Sequence, residues 1–214
     1  MGIFNIRSIL IIIVVIVGFN YYTAKQESDM QNLSLPLETK ILAFGDSLTR
    51  GYGVSDLESY PSVLAELLHV SVVNEGVSGE LSEQGVVRLG ALLEKHKPQI
   101  LVLCHGANDI LRKKDLLKTK ENLLKMVQMA KSKGVYVLLV GVPTYEILSF
   151  KTASFYYDVA KAESLEIEDS SLEKILGDNA LKSDQVHPNA LGYQLMAKKI
   201  AKLLNDNYHP AASF

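Results

Sequence analysis

The regular alternation of apolar runs with helical patterns is the feature that most constrains the fold of this chain. From Lys40 onward, short apolar segments predict strands at Ile41–Phe44, Ser71–Asn74, Gln99–Cys104, Val135–Val140 and Leu165–Ile167. Apolar residues at helical spacing predict helices at Tyr60–Leu68, Gln84–His96, Leu116–Lys133, Phe150–Glu163 and Ala190–Asn205. Several strands are continuous apolar runs, which is typical of strands buried on both faces. The alternation predicts an α/β fold with helices on both faces of a parallel sheet.

The first 39 residues predict an appendage to that fold. Arg7 precedes an unbroken apolar run at 9–19, which is shorter than the roughly 20 residues of a usual membrane span. Two interpretations stay open for residues 1–24: a cleaved signal peptide, or an uncleaved anchor that contacts the membrane through residues 8–22. Either one predicts export, with the protein periplasmic or anchored to the outer face of the cytoplasmic membrane.

The remaining divisions follow from composition. Residues 25–39 are polar and predict a linker, residues 40–207 predict the main domain, and residues 208–214 predict a C-terminal tail. The net charge of −2 argues against a nucleic-acid partner. A single cysteine, Cys104, excludes an intrachain disulfide, and its apolar setting predicts an unreactive core thiol. The five histidines are scattered without zinc-like spacing, so we expect no metal and no cofactor.

Polar residues that follow separate predicted strands include the parts of a nucleophilic site. In a parallel sheet, the carboxyl ends of the strands meet at one edge, where ligands bind. Ser47 follows the first strand as a candidate nucleophile, and a hydroxyl needs a base within hydrogen-bond reach. His187 is the candidate base, and Asp184, three residues earlier, is placed to orient its ring.

Donors for a developing oxyanion are also present at the same predicted edge. The candidates are the backbone N–H groups of Ser47 and Gly79 and the side-chain amide of Asn108. Each segment by itself is also compatible with an ordinary turn or helix cap. A non-catalytic binding module, with the turn at 45–53 holding an anion, therefore stays open as an alternative. The presence of all the parts in the expected chain order favours an enzyme.

These motifs resemble those of the SGNH (GDSL-type) hydrolases. The four blocks read "FGDSL", "NEGVSGE", "GAND" and "DQVHP", and the likeness extends from Lys40 to Asn205. The branch of bacterial acyl-CoA thioesterase I, arylesterase and lysophospholipase is the most similar. The resemblance implies a flavodoxin-like three-layer α/β/α sandwich with a mostly five-stranded parallel sheet. It also implies a metal-free serine hydrolase that uses the catalytic and oxyanion residues named above. Glu80 and His105 depart from the residues common in this branch.

The substrate expected from the resemblance is a small ester, thioester or lysolipid. An O-acetyl esterase acting on cell-wall or surface polysaccharide stays open as an alternative. The loops after the third and fourth predicted strands supply apolar residues for an acyl pocket. We expect that pocket to be lined by Ile110, Leu111, Tyr145, Ile147, Leu148 and Phe150. For His105 we expect either a structural or a solvent-facing position.

Overall fold

The computed structural model describes residues 15, 16, 18 and 35–210. The residues at 35–210 belong to one compact unit. The expected signal peptide or anchor lies almost entirely outside the described residues, as do most of the expected linker and the last four residues of the tail. Those expectations, and the predicted domain boundaries, stay predictions. Within the part of the chain that is described, no helix is both long and apolar enough to cross a membrane.

A five-stranded sheet forms the centre of the domain. The strands are β1 (Lys40–Gly45), β2 (Ser71–Gly76), β3 (Ile100–Cys104), β4 (Tyr136–Val140) and β7 (Glu166–Glu168). They lie in the order β2-β1-β3-β4-β7, and every neighbouring pair is parallel. Almost every residue of β1, β3 and β4 is buried, because these strands lie between two layers of helices. All five predicted strands are confirmed.

Helices cover both faces of the sheet, as the alternating pattern predicts. The longer ones are α2 (Tyr60–Leu68), α3 (Ser82–His96), α5 (Leu116–Lys131), α6 (Ser154–Glu163), α7 (Ser171–Gly177) and α8 (Ala190–Asn207). Helices α2, α7 and α8 pack together as one layer, and α3, α5 and α6 pack together as the other. Two short helices, α1 (Ser47–Arg50) and α4 (Ala107–Leu111), follow β1 and β3. The predicted α/β/α sandwich is confirmed.

The segment after β4 differs from the sequence prediction. A helix was expected from Phe150, but α6 begins at Ser154 and an antiparallel hairpin precedes it. Its strands are β5 (Pro143–Glu146) and β6 (Ser149–Thr152). The ring of Phe150 meets the ring of Tyr145 edge-on across the hairpin, with 5.3 Å between centroids. Cross-strand packing of these two rings outweighs the helical spacing of the apolar residues.

The carboxyl ends of β1, β2 and β3 are held close together. Gly45, Gly76 and Cys104 are in register across these three strands. A Cβ atom on Gly45 would lie 1.8 Å from the carbonyl oxygen of Cys104, so only glycine permits this approach. The loops that leave these strand ends therefore begin within one small area, at the edge of the sheet where the predicted site residues lie.

Candidate active site

Ser47 lies at the first position of helix α1, immediately after β1. The side chain of Asp46 caps that helix, because its Oδ1 accepts a hydrogen bond from the backbone N–H of Leu48 at 3.1 Å. Asp46 is completely buried, and this burial raises the pKa of its carboxyl above the ordinary value. The cap and the burial together hold the turn in one conformation, with the Ser47 hydroxyl directed into a cleft.

Ser47, His187 and Asp184 form a connected hydrogen-bonded chain. The distance from His187 Nε2 to Ser47 Oγ is 2.9 Å, and His187 Nδ1 lies 2.8 Å from Asp184 Oδ2. Because the carboxylate only accepts, Nδ1 carries the proton and Nε2 is free to accept one from the serine hydroxyl. These distances lie within the range that transfer of a proton from a nucleophile to its base requires. The structure thus brings together the three residues that the sequence nominated.

The loop before helix α8 fixes the Asp184 carboxylate. Its Oδ1 accepts hydrogen bonds from the backbone N–H groups of Val186 and His187, each at 2.8 Å. Partial burial acts to raise the pKa of Asp184, but these hydrogen bonds and the one from the His187 ring outweigh it and lower the pKa. The carboxyl therefore stays ionised and is suited to stabilise a positive charge on the imidazole. Tyr52 packs against that ring, with 4.5 Å between ring centroids.

Three residues that carry candidate N–H donors line the cavity beside the Ser47 hydroxyl. Ser47 is the first residue of α1, and the first backbone N–H groups of a helix have no acceptor within it. Gly79 ends a tight turn closed by the hydrogen bond from Glu80 N–H to Val77 O, with a φ of +80° that favours glycine. Asn108, on α4, donates one amide hydrogen to the Glu80 carbonyl at 3.1 Å. All three residues line the same cavity, as the sequence predicts.

An ionic cluster of Glu80, Arg88 and His105 supports the turn that carries Gly79. Arg88 on α3 binds the Glu80 carboxylate through Nε at 2.8 Å and Nη2 at 2.7 Å. His105 Nε2 lies 3.1 Å from the same carboxylate and donates to it, since a carboxylate has no proton to give. Burial acts to raise the pKa of Glu80, but the hydrogen bonds from His105 and Arg88 and the charge of Arg88 lower it to about 2.

Glu80 thereby joins two of the three donors. Its backbone follows Gly79 directly, its carbonyl accepts the Asn108 amide, and its side chain is held by the ionic cluster. The sequence prediction did not include Glu80 or Arg88 among the site residues. The available signal was their separation of eight residues, about two helical turns, which brings Arg88 on α3 to the side of the helix where Glu80 lies. His105 is fully buried, so of the two expected positions the structural one applies.

Cys104 ends β3 beneath the site and is completely buried. Burial is the main influence on its thiol and raises the pKa well above the ordinary value. The prediction of an unreactive core thiol agrees with this environment. Among the residues that the structure describes, no group of three or more histidine, cysteine, aspartate or glutamate side chains is arranged to hold a metal ion.

A cavity of about 220 Å³ opens beside the Ser47 hydroxyl. Its lining is mostly apolar, and the apolar residues are Leu48, Ala107, Ile110, Leu111, Val142, Pro143, Leu172, Leu176 and Val186. Ile110 and Leu111 lie where the sequence predicts. Leu172 and Leu176 were missed, although their four-residue spacing is typical of one face of a helix. They belong to α7, which the sequence analysis did not predict.

Three other residues predicted for the acyl pocket lie elsewhere. Tyr145, Ile147 and Leu148 are not among the residues that line the cavity, and they are 70%, 93% and 91% exposed. Phe150 does not line the cavity either, because its ring faces Tyr145 within the hairpin. The reason is the hairpin itself, because it carries the residues after Pro143 away from the cavity wall. The expectation that these side chains line the pocket is therefore wrong.

Comparison with known proteins agrees with this geometry. Residues 43–195 match the model of the GDSL-like lipase/acylhydrolase family. The chain is 30% identical over 171 residues to thioesterase 1/protease 1/lysophospholipase L1 of Escherichia coli K12, covering 77% of this chain and 82% of that one. It is 28% identical over 175 residues to an arylesterase of Vibrio mimicus, covering 77% and 88%.

Solved structures give the same result. The crystal structure of the psychrotrophic esterase EstA from Pseudoalteromonas, inhibited by monoethylphosphonate, is similar with a TM-score of 0.68 and 27% identity. That match covers 78% of this chain and all of EstA. The crystal structure of TesA is similar with a TM-score of 0.71 and 25% identity, covering 78% and 99%. The chain therefore belongs to the family of GDSL-like lipases and acylhydrolases.

Proposed function

We propose that this protein hydrolyses carboxylic esters or acyl thioesters through a covalent acyl group on Ser47. The observation that carries the proposal is the hydrogen-bonded chain from Ser47 Oγ through His187 to Asp184, which opens on an apolar cavity. In the first step the Ser47 oxygen attacks the substrate carbonyl carbon while His187 Nε2 takes the hydroxyl proton. Asp184 then faces an imidazolium whose charge it stabilises.

The oxyanion that forms in this step lies near three fixed donors. The backbone N–H groups of Ser47 and Gly79 and the free amide hydrogen of Asn108 are placed to stabilise that oxyanion. As the tetrahedral intermediate collapses, His187 gives its proton to the departing alcohol or thiol. A water molecule, activated by the same His187, then attacks the acyl group on Ser47 and releases the acid. No step requires a metal or an organic cofactor.

The lining of the cavity supports a substrate with an apolar acyl or aryl group. Relatives are named arylesterase and thioesterase 1/lysophospholipase L1, and substrates of these classes fit a cavity walled by leucine, isoleucine and valine. An acetyl group would fill little of this space, so the proposal favours longer acyl chains over the O-acetyl esterase alternative. Turnover of p-nitrophenyl esters from acetate to octanoate separates the two, since an O-acetyl esterase would prefer acetate.

Substitution of Ser47 by alanine tests the proposal. The hydroxyl is the attacking atom, so Ser47→Ala should lower p-nitrophenyl butyrate turnover by roughly 10⁴-fold or more. Covalent labelling by a fluorophosphonate probe should disappear as well. Ser183→Ala is the matched control, because that hydroxyl donates to the backbone carbonyls of His187 and Pro188 and does not line the cavity. Normal turnover by a folded Ser47→Ala variant would contradict the proposal.

We also propose that the protein is exported and works in the periplasm or at the outer face of the cytoplasmic membrane. The apolar run at 9–19 after Arg7 supports this location. Mass spectrometry of the mature chain distinguishes a cleaved signal peptide from an uncleaved anchor. Fractionation of expressing cells tests the location directly, and recovery of the full chain in the cytoplasm would contradict it.

A further inference from the structure

The turn of the β5–β6 hairpin exposes two large apolar side chains beside the cavity. Ile147 and Leu148 form the two-residue connection between Glu146 and Ser149, and they are 93% and 91% exposed. Such connections usually contain glycine, asparagine or aspartate. Two adjacent branched aliphatic residues with such high exposure cost solubility and add nothing to the core.

The backbone at Leu148 makes this choice more unusual. Its φ is +101°, a conformation that glycine adopts freely and that a bulky side chain disfavours. Glycine at this position would relieve the strain and remove an exposed apolar surface at once. Because leucine is present in spite of both effects, its side chain has a use that folding does not explain.

The hairpin holds this turn, which we call the tip, in a fixed relation to the cavity. Pro143 lines the cavity and also begins β5, so the tip lies about 13 Å along the strand from the cavity wall. The other end of the hairpin is fixed to the loop before α7 and to α7 itself. Thr152 donates its N–H to Glu173 Oε1 at 2.7 Å and its hydroxyl to Asp169 O at 3.0 Å.

We propose that Ile147 and Leu148 insert into the acyl region of a lipid bilayer and so place the mouth of the cavity at the membrane surface. A convex tip of two residues is much smaller than the roughly 800 Å² that each partner contributes to a stable protein interface. A bilayer requires only apolar side chains that project outward. Tyr145, 70% exposed behind the tip, has the amphipathic ring typical of the membrane interface.

Other features of the chain agree with a lipid bilayer as the partner of the tip. The apolar run at 9–19 indicates a chain that passes into or across a membrane, and as an uncleaved anchor it would hold the domain at the bilayer surface. Within the turn, Glu146 is the one charged residue, so attraction to anionic headgroups is not what the tip provides. The inference rests on the proposed apolar acyl substrate, because an enzyme for lipid esters gains from meeting its substrate at the bilayer.

A single tryptophan at the tip measures the insertion directly. The chain contains no tryptophan, so Ile147→Trp in the full chain introduces one reporter. With phosphatidylcholine vesicles, we expect its emission to shift to the blue and lipids brominated in the acyl chain to quench it several-fold. Val87→Trp is the matched control, since Val87 is 83% exposed on α3, and it should show neither effect.

Absence of quenching at position 147 would overturn the proposal, even if the chain still binds vesicles through its N-terminus. A blue shift that depends on protein concentration and needs no lipid would also overturn it, because it would indicate contact with a second copy. Leu148→Gly gives a second test when it is combined with Ile147→Trp. The backbone at position 148 suits glycine, so the double variant should fold and yet show quenching by brominated lipids that is several-fold weaker. Unchanged quenching in the folded double variant would contradict insertion.

Hydrolysis of a soluble ester separates this inference from the proposed function. Tip variants should hydrolyse p-nitrophenyl butyrate within twofold of the parent chain, because neither side chain lines the cavity. Quenching at position 147 in a chain without esterase activity would support insertion of the tip and refute the proposed function. Esterase activity without quenching at position 147 would refute insertion of the tip alone.

Discussion

The loops that follow β2 and β3 and the hairpin that follows β4 border the same cavity, yet they are built in opposite ways. The first two loops are joined by Glu80, a buried residue. Its side-chain carboxylate binds Arg88 and His105, and its backbone carbonyl accepts a hydrogen bond from the Asn108 amide. The hairpin contacts the rest of the domain at its base and ends in exposed aliphatic residues. In the proposed mechanism, the polar side stabilises the oxyanion at one fixed point, whereas the apolar side contacts the acyl group of the substrate.

This difference has a physical reason. An oxyanion gains most from donors that need no reorganisation, so the residues that carry them must be rigid. An acyl chain binds through apolar contact, which is not directional and tolerates variation in shape. We therefore expect substitutions on the oxyanion side to lower kcat for every substrate. Substitutions on the acyl side should instead change which substrate is preferred.

The largest effect that tests this comparison is expected for Asn108→Ala. Loss of one oxyanion donor should lower kcat by roughly 10²–10³-fold for acetyl and octanoyl esters alike. The control is Asn122→Ala, because that buried amide donates to Ser82 Oγ away from the cavity. It should reduce thermal stability and leave kcat within a few-fold. A loss in Asn108→Ala confined to long-chain esters would contradict the proposed division between the two sides.

Glu80→Gln should have the next largest effect. It weakens the hold on the Gly79 turn and on the Asn108 amide, and a misplaced donor costs less than an absent one, so we expect a fall in kcat of roughly tenfold. Glu75→Gln is the matched control, since Glu75 also pairs with Arg88, at 3.5 Å, but holds no oxyanion donor. A change in KM without a change in kcat would show that Glu80 does not position the donors.

The same carboxylate predicts a dependence of stability on pH. The pKa of Glu80 is about 2 when folded, against an ordinary value of 4.5. A lowered carboxyl pKa stabilises the fold above the unfolded value, and that stabilisation is lost as pH falls toward the folded value. The free energy of unfolding should therefore drop by on the order of 3 kcal/mol between pH 4.5 and 2 through Glu80. Denaturant unfolding of Glu80→Gln should lack this contribution.

On the acyl side, Leu176→Phe should change chain-length preference. The side chain of Leu176 lines the cavity, so a larger ring would occupy space that a long acyl group needs. We expect kcat/KM for the octanoyl ester to fall roughly fivefold and kcat/KM for the acetyl ester to stay unchanged. The acetyl ester serves as the internal control, since a general defect in the site would lower both. An equal loss for both esters would indicate that the two sides are not independent.

The smallest effect is expected at the tip. Ile147→Ser should leave the hydrolysis of soluble esters unchanged, because this side chain projects away from the cavity. The thermal midpoint should also stay close to that of the parent chain, since a residue 93% exposed contributes almost nothing to the core. A loss of more than a few-fold with p-nitrophenyl butyrate would mean that the hairpin closes over the substrate and belongs to the pocket.

The hairpin and helix α7 are two elements that the local sequence pattern does not predict. Helical spacing around Phe150 predicted a helix, but the ring of Tyr145 lies opposite it in space and stabilises strands instead. Leu172 and Leu176 line the cavity, and the helix that carries them, α7, packs against β6 of the hairpin and against α8. Neither fact follows from local pattern, since each depends on a partner that the sequence does not place.

The amino-acid sequence by itself predicted the parallel sheet and its five strands, and it nominated Ser47, Gly79, Asn108, Asp184 and His187 as site residues. These follow from local rules, because strands buried on both faces are apolar throughout and parallel strands direct their following loops to one edge. Only the tertiary structure decided that Glu80, Arg88 and His105 form one ionic cluster and that the apolar residues after Pro143 are exposed. Burial and pairing join residues far apart in the chain, so their energies are defined only once the elements have packed.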